Sequence, residues 1–363
     1  MTSIRLASDN DYAKWDKFAQ QNDCCSPYHL SAWTQAINQA YGHRCYLFIA
    51  EDNDVVVGIL PLVIMAPPLL KKSICSLPFC DLGGVAATTQ EAKDKLLTAA
   101  LDFAASNNAS RVELRQTAPR NQDHEIIDGA KVRMLLPLPD SAEALLASFK
   151  SKLRSQVKKA EKNGISYRSK IPNGKSKDDQ LTDEDLLGFY QIMQINMRQL
   201  GSPVHSYKWF RSVLDYYGNN AVLGLVYFED KIVGGAIILL CGKTVTVPWA
   251  STHPEYNRLA PNMLLYWGLL SYAADNGYQE FDFGRSTVGE GTFKFKKQWG
   301  AAPVPLDWLS YKDKILLAKE PATEPQGSDS GKGIRDQVAH IWSKLPVAIT
   351  NFLGPIVRRY ISL

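Results

Sequence analysis

The hydrophobic pattern of this chain passes through the same series of elements twice. Residues 45–63 hold two apolar runs on either side of Asp52-Asn53-Asp54, which predicts a β-hairpin closed by turn-forming residues. A segment rich in proline and aromatics follows at Ser76–Asp81, then a helical pattern at 95–108 and a strand pattern at Arg111–Thr117. The order returns at 226–240 around Glu229-Asp230-Lys231, followed by Val247–Ser251, a helix at 263–277 and a strand at Glu280–Thr287. The offset between the copies stays close to 170–176 residues. Solenoid units run roughly 20–50 residues, so this is a duplicated domain instead. The pattern predicts an α/β (α+β) protein of two tandem mixed domains with a central cleft.

The rest of the chain surrounds these copies. Residues 10–42 read as one or two helices, with Trp15, Phe18, Trp33 and Ile37 at helical spacing and Ser31 as a cap. A helix beginning near Asp140 leads into the basic stretch Lys150–Lys162, closed by Asn163-Gly164, and Asp183–Leu200 is a further helix. The expected division is 1–140 for the first domain and 141–318 for the second, with the last strand returning to the first. Residues 319–333 have the composition of a flexible linker, and 334–363 form an amphipathic helical appendage that Pro346 and Pro355 break into short helices.

Composition narrows the class. The 363 residues suffice for two ordinary cores, and 45% hydrophobic with 21% charged residues is a globular balance. A net charge of +4 suits an anionic ligand without demanding nucleic acid. The six cysteines form no CxxC pair and the six histidines are scattered, so no zinc-like spacing is present. The N-terminus lacks the apolar stretch of a signal peptide, and the apolar runs Val55–Ala66 and Ile232–Cys241 fall short of the roughly 20 residues that span a bilayer. The expectation is a cytoplasmic protein with reduced thiols, working at the inner face of the membrane if its tail binds lipid.

Several segments carry candidate chemistry. In the strand Phe281–Thr287 the two phenylalanines share one face, so Asp282 points to the other, with Arg285-Ser286 at the C-terminal end where α/β ligands bind. The alternative is a buried strand followed by a solvated loop. Gly289–Ala301 concentrates lysines and aromatics: read as a strand, it puts Lys294 and Lys296 on one side and Phe293 and Phe295 on the other. That arrangement holds an anion, or is merely a basic edge strand. Arg154 and Lys158 lie four residues apart on the basic helix, as phosphate contacts at the cleft or as a solvated charged face. Arg198 stands at a helix end and His205 in the loop beyond it; a lone loop histidine is more often structural or solvent-exposed than catalytic. Asp81 and Arg115 occupy, in the first copy, places comparable to His253 and Arg285 in the second. Trp249, Asn262, Tyr266, Ser286 and Lys294 complete the candidate substrate-binding set. The glycine-rich loop that cradles a coenzyme A pyrophosphate is missing: the matching place reads Arg258-Leu-Ala-Pro-Asn-Met263, where proline offers no N–H.

Taken together, Arg154-Ser-Gln-Val-Lys-Lys-Ala-Glu-Lys-Asn-Gly164, Asn262-Met-Leu-Leu-Tyr-Trp267, Phe281-Asp-Phe-Gly-Arg-Ser286 and Phe295-Lys-Lys-Gln-Trp-Gly300 resemble the FemAB-like (Fem ligase) superfamily. The nearest likeness is to the branch associated with exosortase/PEP-CTERM and exopolysaccharide gene clusters, down to the Trp342-x-x-Leu-Pro346 of the tail. The resemblance covers residues 1 to about 315. It implies two GNAT-like (acyl-CoA N-acyltransferase-like) domains and acyl transfer to an amine without a metal. Fem ligases use aminoacyl-tRNA as donor and a peptidoglycan precursor as acceptor. Here the coiled-coil insertion that engages tRNA in some of them is missing, so an acyl thioester donor and an amino-sugar or polysaccharide acceptor stay open. The resemblance implies that Lys296 works beside the donor phosphate or the developing oxyanion, with Arg285 near it and Arg154 and Lys158 on phosphate. Asp282 is the expected base for the ammonium proton. A non-catalytic glycan- or phosphate-binding module is the competing class, and the tail could contact membrane lipid.

Overall fold

The computed structural model describes residues 1–117, 126–321 and 329–362. Its strands, in chain order, begin with β1 Ser3–Leu6, β2 Cys45–Asp52, β3 Val55–Met65, β4 Ser73–Cys75, β5 Ala86–Ala87, β6 Val112–Thr117 and β7 Lys131–Pro137. They continue with β8 Ile165–Lys170, β9 Ala221–Phe228, β10 Lys231–Cys241, β11 Thr244–Thr252, β12 Glu280–Thr287, β13 Ala302–Lys312 and β14 Ile315–Pro321. The α-helices are α1 Tyr12–Gln21, α2 Ser31–Tyr41, α3 Gln90–Ser106, α4 Ala142–Ser148, α5 Ser151–Lys162 and α6 Asp183–Gln199. After them come α7 Tyr207–Tyr217, α8 Pro261–Asp275, α9 Gly291–Gln298, α10 Asp329–Lys344 and α11 Val347–Arg358.

The two halves repeat one topology. Each opens with an antiparallel hairpin, β2–β3 and β9–β10, whose turns place Asn53-Asp54 and Glu229-Asp230 at positive φ, the geometry that matches strand twist. In each, a third strand lies antiparallel to the hairpin and parallel to a fourth, and a helix crosses between them: β4, α3, β6 and β11, α8, β12. Helix α8 shows why the crossover folds as it does. Pro261 starts it where no N–H is needed, Gly277 follows its end at φ 78°, and Leu265, Leu269, Leu270 and Ala273 are fully buried.

The halves join into a single sheet in the order β1-β2-β3-β4-β6-β13-β7-β12-β11-β10-β9-β8. Strand β13 makes the junction: Ala302–Pro305 pair with β7, and Leu306–Tyr311 pair with β6. Strand β7, placed in the first domain by the sequence reading, hydrogen-bonds to β12, and its Val132, Met134 and Leu136 pack in the core of the second half. A third body of side chains belongs to both halves. Trp15 and Trp33 from α1 and α2 meet Phe189 and Trp209 from α6 and α7 in one buried cluster.

The linker expectation needs correction. Residues 319–321 continue β14, where they complete pairing with Asp307–Leu309, and 329–333 open α10; residues 322–328 lie outside the described residues. Ile315, Leu316 and Leu317 are exposed, and it is backbone pairing that extends the strand along the free edge of β13. The tail forms two helices, but Pro355 stands inside α11 instead of ending it, and the helix runs on past it without the i→i−4 bond that proline cannot donate. This tail lies on the protein. Arg198 donates to Leu345 O, His43 donates to Arg359 O at 2.7 Å, and Arg115 donates to Ser362 O at 2.9 Å. Helix α11 turns Thr350 and Gly354 inward and leaves Ile349, Phe352 and Ile356 exposed.

Trp33 tests the shared core. It is fully buried, donates to Pro78 O at 3.2 Å, stacks on Trp249 at 5.8 Å and meets Trp209 edge-on at 5.0 Å. Trp33→Ala is expected to cost roughly 3–5 kcal/mol of stability, read from the midpoint of urea unfolding; a loss under ~1 kcal/mol would show that the halves are held together elsewhere.

Candidate functional site

Strands β11 and β12 run parallel only through Thr244–Thr246 and Glu280–Asp282. Beyond that, β12 slips register against β7 between Asp282 and Arg285, with Gly284 at φ 73°, and the two strands part. The opening is a cavity of about 380 Å³. Val247–Ala250 of β11 and Phe283–Arg285 of β12 form its walls, with Tyr266 of α8 and Lys296 of α9. The first half contributes Tyr28 and Phe79–Asp81, α6 contributes Met193 and Met197, α9 adds Thr292, and His205 and Arg358 complete the lining.

Lys296 lies in a helix, which corrects the strand expected for this segment. Phe293 and Lys296, three residues apart, are buried on one helical face, while Lys294 is exposed and stays off the cavity. The Phe-Lys alternation imitated a strand over too few residues to outweigh that spacing. The buried Lys296 ammonium donates to Gly284 O at 3.2 Å and Arg285 O at 2.8 Å, two carbonyls of the bulge. Burial pulls its pKa down to about 8; Asp282 and Asp81 oppose the shift and Arg285 adds to it. Arg285 reaches across the halves: its N–H donates to Asp81 Oδ2 at 3.2 Å, and its Nε lies 3.3 Å from Asp81 Oδ1.

Asp282, the expected base, does not line the cavity. It is 2% exposed, its Oδ2 accepts from Arg133 Nε and Nη2 at 3.1 and 2.8 Å, and its Oδ1 accepts the Gly284 N–H at 2.8 Å. It ties down the bulge that shapes the cavity. Ser286 is buried beside it, off the cavity wall.

His205 is a neutral group. Arg358 Nε can only donate, so His205 Nε2 accepts at 3.0 Å and Nδ1 carries the proton toward Tyr41 Oη at 2.8 Å. Burial lowers its pKa well below the usual value, and Arg358 adds to that. Trp249 and Tyr266 line the cavity as expected, Tyr266 stacked on Phe283 at 5.6 Å. Burial raises the Tyr266 phenol to about 12.

Other expected contacts lie elsewhere, each for a visible reason. Arg154 donates to Ala147 O and Phe149 O, closing the end of α4. Lys158 is exposed on the outer face of α5. Arg198 holds the tail. Arg115 is buried against Glu113 and donates to the carbonyls of Leu77, Cys80 and Ser362. Asn262, at the start of α8, is not on the cavity wall. The sequence reading missed Tyr28, Phe79, Met193, Met197 and Arg358 as lining, and Arg133 as the partner of Asp282. Arg133 did leave a signal, a lone arginine in the apolar run Val132–Leu136.

Residues 147–297 match the family model described as an acetyltransferase (GNAT) domain. Among curated proteins, a lipid II:glycine glycyltransferase of Staphylococcus saprophyticus is 20% identical over 371 residues, spanning 75% of this chain and 84% of that protein. The crystal structure of FemX superposes with a TM-score of 0.67 at 15% identity, covering 83% of this chain and 95% of that one. A tandem GNAT protein from the clavulanic acid biosynthesis pathway gives 0.53 at 10% identity, over 86% and 99%. These matches bear out the resemblance to the Fem ligases, the tandem GNAT-like fold and the acyltransferase class.

The Arg133–Asp282 pair gives a test of role. Asp282→Asn leaves Arg133 buried and unpaired, so a loss of roughly 3–5 kcal/mol is expected, with Asp282→Asn/Arg133→Gln recovering part of it. Chemical unfolding of both variants checks this. A folded, stable Asp282→Asn protein with no turnover would instead return Asp282 to the chemistry.

Proposed function

We propose that this acyltransferase, built like the Fem ligases, transfers an aminoacyl or acyl group from an activated ester or thioester to the amine of an anionic cell-envelope precursor. One observation carries the reading: a buried lysine, held on the carbonyls of a strand bulge, faces a cavity that Arg285 and Asp81 close from opposite halves. The amine attacks the donor carbonyl, a C–N bond forms, and the tetrahedral oxyanion collapses as the donor oxygen or sulfur leaves. Such a reaction needs positioned reactants and a donor for the oxyanion more than it needs a strong acid. Lys296 supplies that donor. Asp81, the carboxylate on the cavity wall, accepts the ammonium proton.

The glycyltransferase relative is named for lipid II. That supports a precursor of the peptidoglycan type as acceptor, with an amino-sugar polysaccharide unit as the finer alternative. For the donor, α8 begins at Pro261 after Ala260 at φ 60°, so the helix start offers few N–H groups to a pyrophosphate. This favours aminoacyl-tRNA over a coenzyme A thioester. No helix among the described residues is long and apolar enough to cross a membrane. The reading includes peripheral contact with the inner membrane face through Ile349, Phe352 and Ile356 of α11, since a lipid-linked acceptor would be met there.

Incubation with aminoacyl-tRNA or acyl thioester pools and with amine acceptors, followed by mass spectrometry of the amide, tests the reaction. Lys296→Ala is expected to slow it by about 10²–10³-fold, the scale of one lost oxyanion donor, and wild-type rates in that variant would remove the lysine from the mechanism. Because the ammonium form does the work and its pKa is about 8, the rate should fall as pH rises through that value. Lys296→Arg should flatten that limb. Co-sedimentation with anionic liposomes should drop for Phe352→Ser/Ile356→Ser; unchanged co-sedimentation would separate the tail from the membrane.

A further inference from the structure

Arg358, the last residue of α11, lines the cavity although it comes from the tail. Its Nε donates to the neutral His205 at 3.0 Å, its Nη1 donates to Ile361 O at 3.3 Å, and its guanidinium lies 5.8 Å from the Phe79 ring centre. Among the described residues no carboxylate pairs with it. The charges that act on it include two further cations, Arg115 and Arg285, and burial with their repulsion lowers its pKa to about 10. It therefore stays protonated at neutral pH. A buried cation that no carboxylate of the described residues pairs is unfavourable, yet the fold holds this one firmly. Phe79 N–H donates to Ser362 O at 2.6 Å, and Arg359 Nη2 donates to Tyr41 O at 2.8 Å, so the residues after it are clamped to the first half.

The cavity wall thus carries Arg285, Lys296 and Arg358 against the single carboxylate Asp81. Two positive charges are left over. We propose that Arg358 is a binding residue for the phosphate of a reactant: with Arg285 it holds a dianionic phosphate or pyrophosphate ester in the positive field of Lys296, so the substrate site is complete only while the tail is docked. This rests on the reading of the same cavity as the acyl-transfer site, and it makes the reactant a phosphate ester.

The test is calorimetric titration of the full chain with inorganic pyrophosphate, with acetate as a second arm and thermal unfolding of each variant alongside. Wild type should bind pyrophosphate and not acetate. Arg358→Gln should weaken pyrophosphate binding about 10- to 100-fold, the worth of one charge-assisted contact, and Arg358→Lys should fall between. The exposed Lys344→Gln on the same tail should match wild type. Without ligand, Arg358→Gln should melt no lower than wild type, because it removes an uncompensated charge; a merely structural arginine predicts a lower melting temperature and unchanged pyrophosphate affinity. If Arg358→Gln does not fold, the Lys variant decides by the same affinity criterion. Wild type that ignores pyrophosphate, or Arg358→Gln that binds it undiminished, overturns the proposal whatever turnover shows. Arg358-dependent binding in a protein without acyl transfer strikes only the catalytic reading.

Discussion

The cavity of this protein depends on the ion pair between Arg133 and Asp282. A carboxylate at 2% exposure is costly unless its oxygens are filled, and here Arg133 and the Gly284 N–H fill them. The consequence is geometric. With Asp282 pulled toward β7, the chain from Gly284 onward leaves its parallel partner, and the carbonyls of Gly284 and Arg285 turn to the lysine of α9. Strand separation, cavity and lysine placement follow from one buried pair. The oxygens of this deep carboxylate are committed to shape, one taking both Arg133 bonds and the other the Gly284 N–H.

The second organising element is aromatic. Trp33 from the first half lies 5.0 Å from Trp209 and 5.8 Å from Trp249 of the second, and Phe79 and His205 extend the cluster to the tail. Edge-to-face and stacked rings fix orientation as well as distance. The cavity floor is therefore stiff where it is apolar. Its adaptable parts are Met193 and Met197, whose unbranched side chains fit ligands of varied outline.

Duplication, hairpins and crossover helices were legible in the sequence because each depends on local spacing: Asp52–Asp54 and Glu229–Lys231 punctuate apolar runs that must pair. Lys296, Arg285, Asp81, Trp249, Tyr266 and His205 were also placed at the cavity, the first of them through motif resemblance. Arg154 and Lys158 were misjudged because a cationic helix looks alike whether it faces a ligand or water; only the packing of Leu153 and Val157 decides which side is inside. The partner of Asp282 was not legible because period-two alternation says which face a residue leaves by, and nothing about an arginine 149 residues away. Arg358 was invisible as a site residue for a similar reason: no short-range rule carries a terminal helix back to the opposite half.

Strand β13 has a mechanical meaning of its own. It is one uninterrupted ribbon whose first residues are stitched to β7 and whose later residues are stitched to β6. Two lobes sewn along a shared seam cannot swing apart like a clamshell without tearing backbone hydrogen bonds. Traffic into and out of the cavity must then pass by small displacements of side chains and of the terminal helices, which makes the lobes a fixed frame and leaves gating to the periphery.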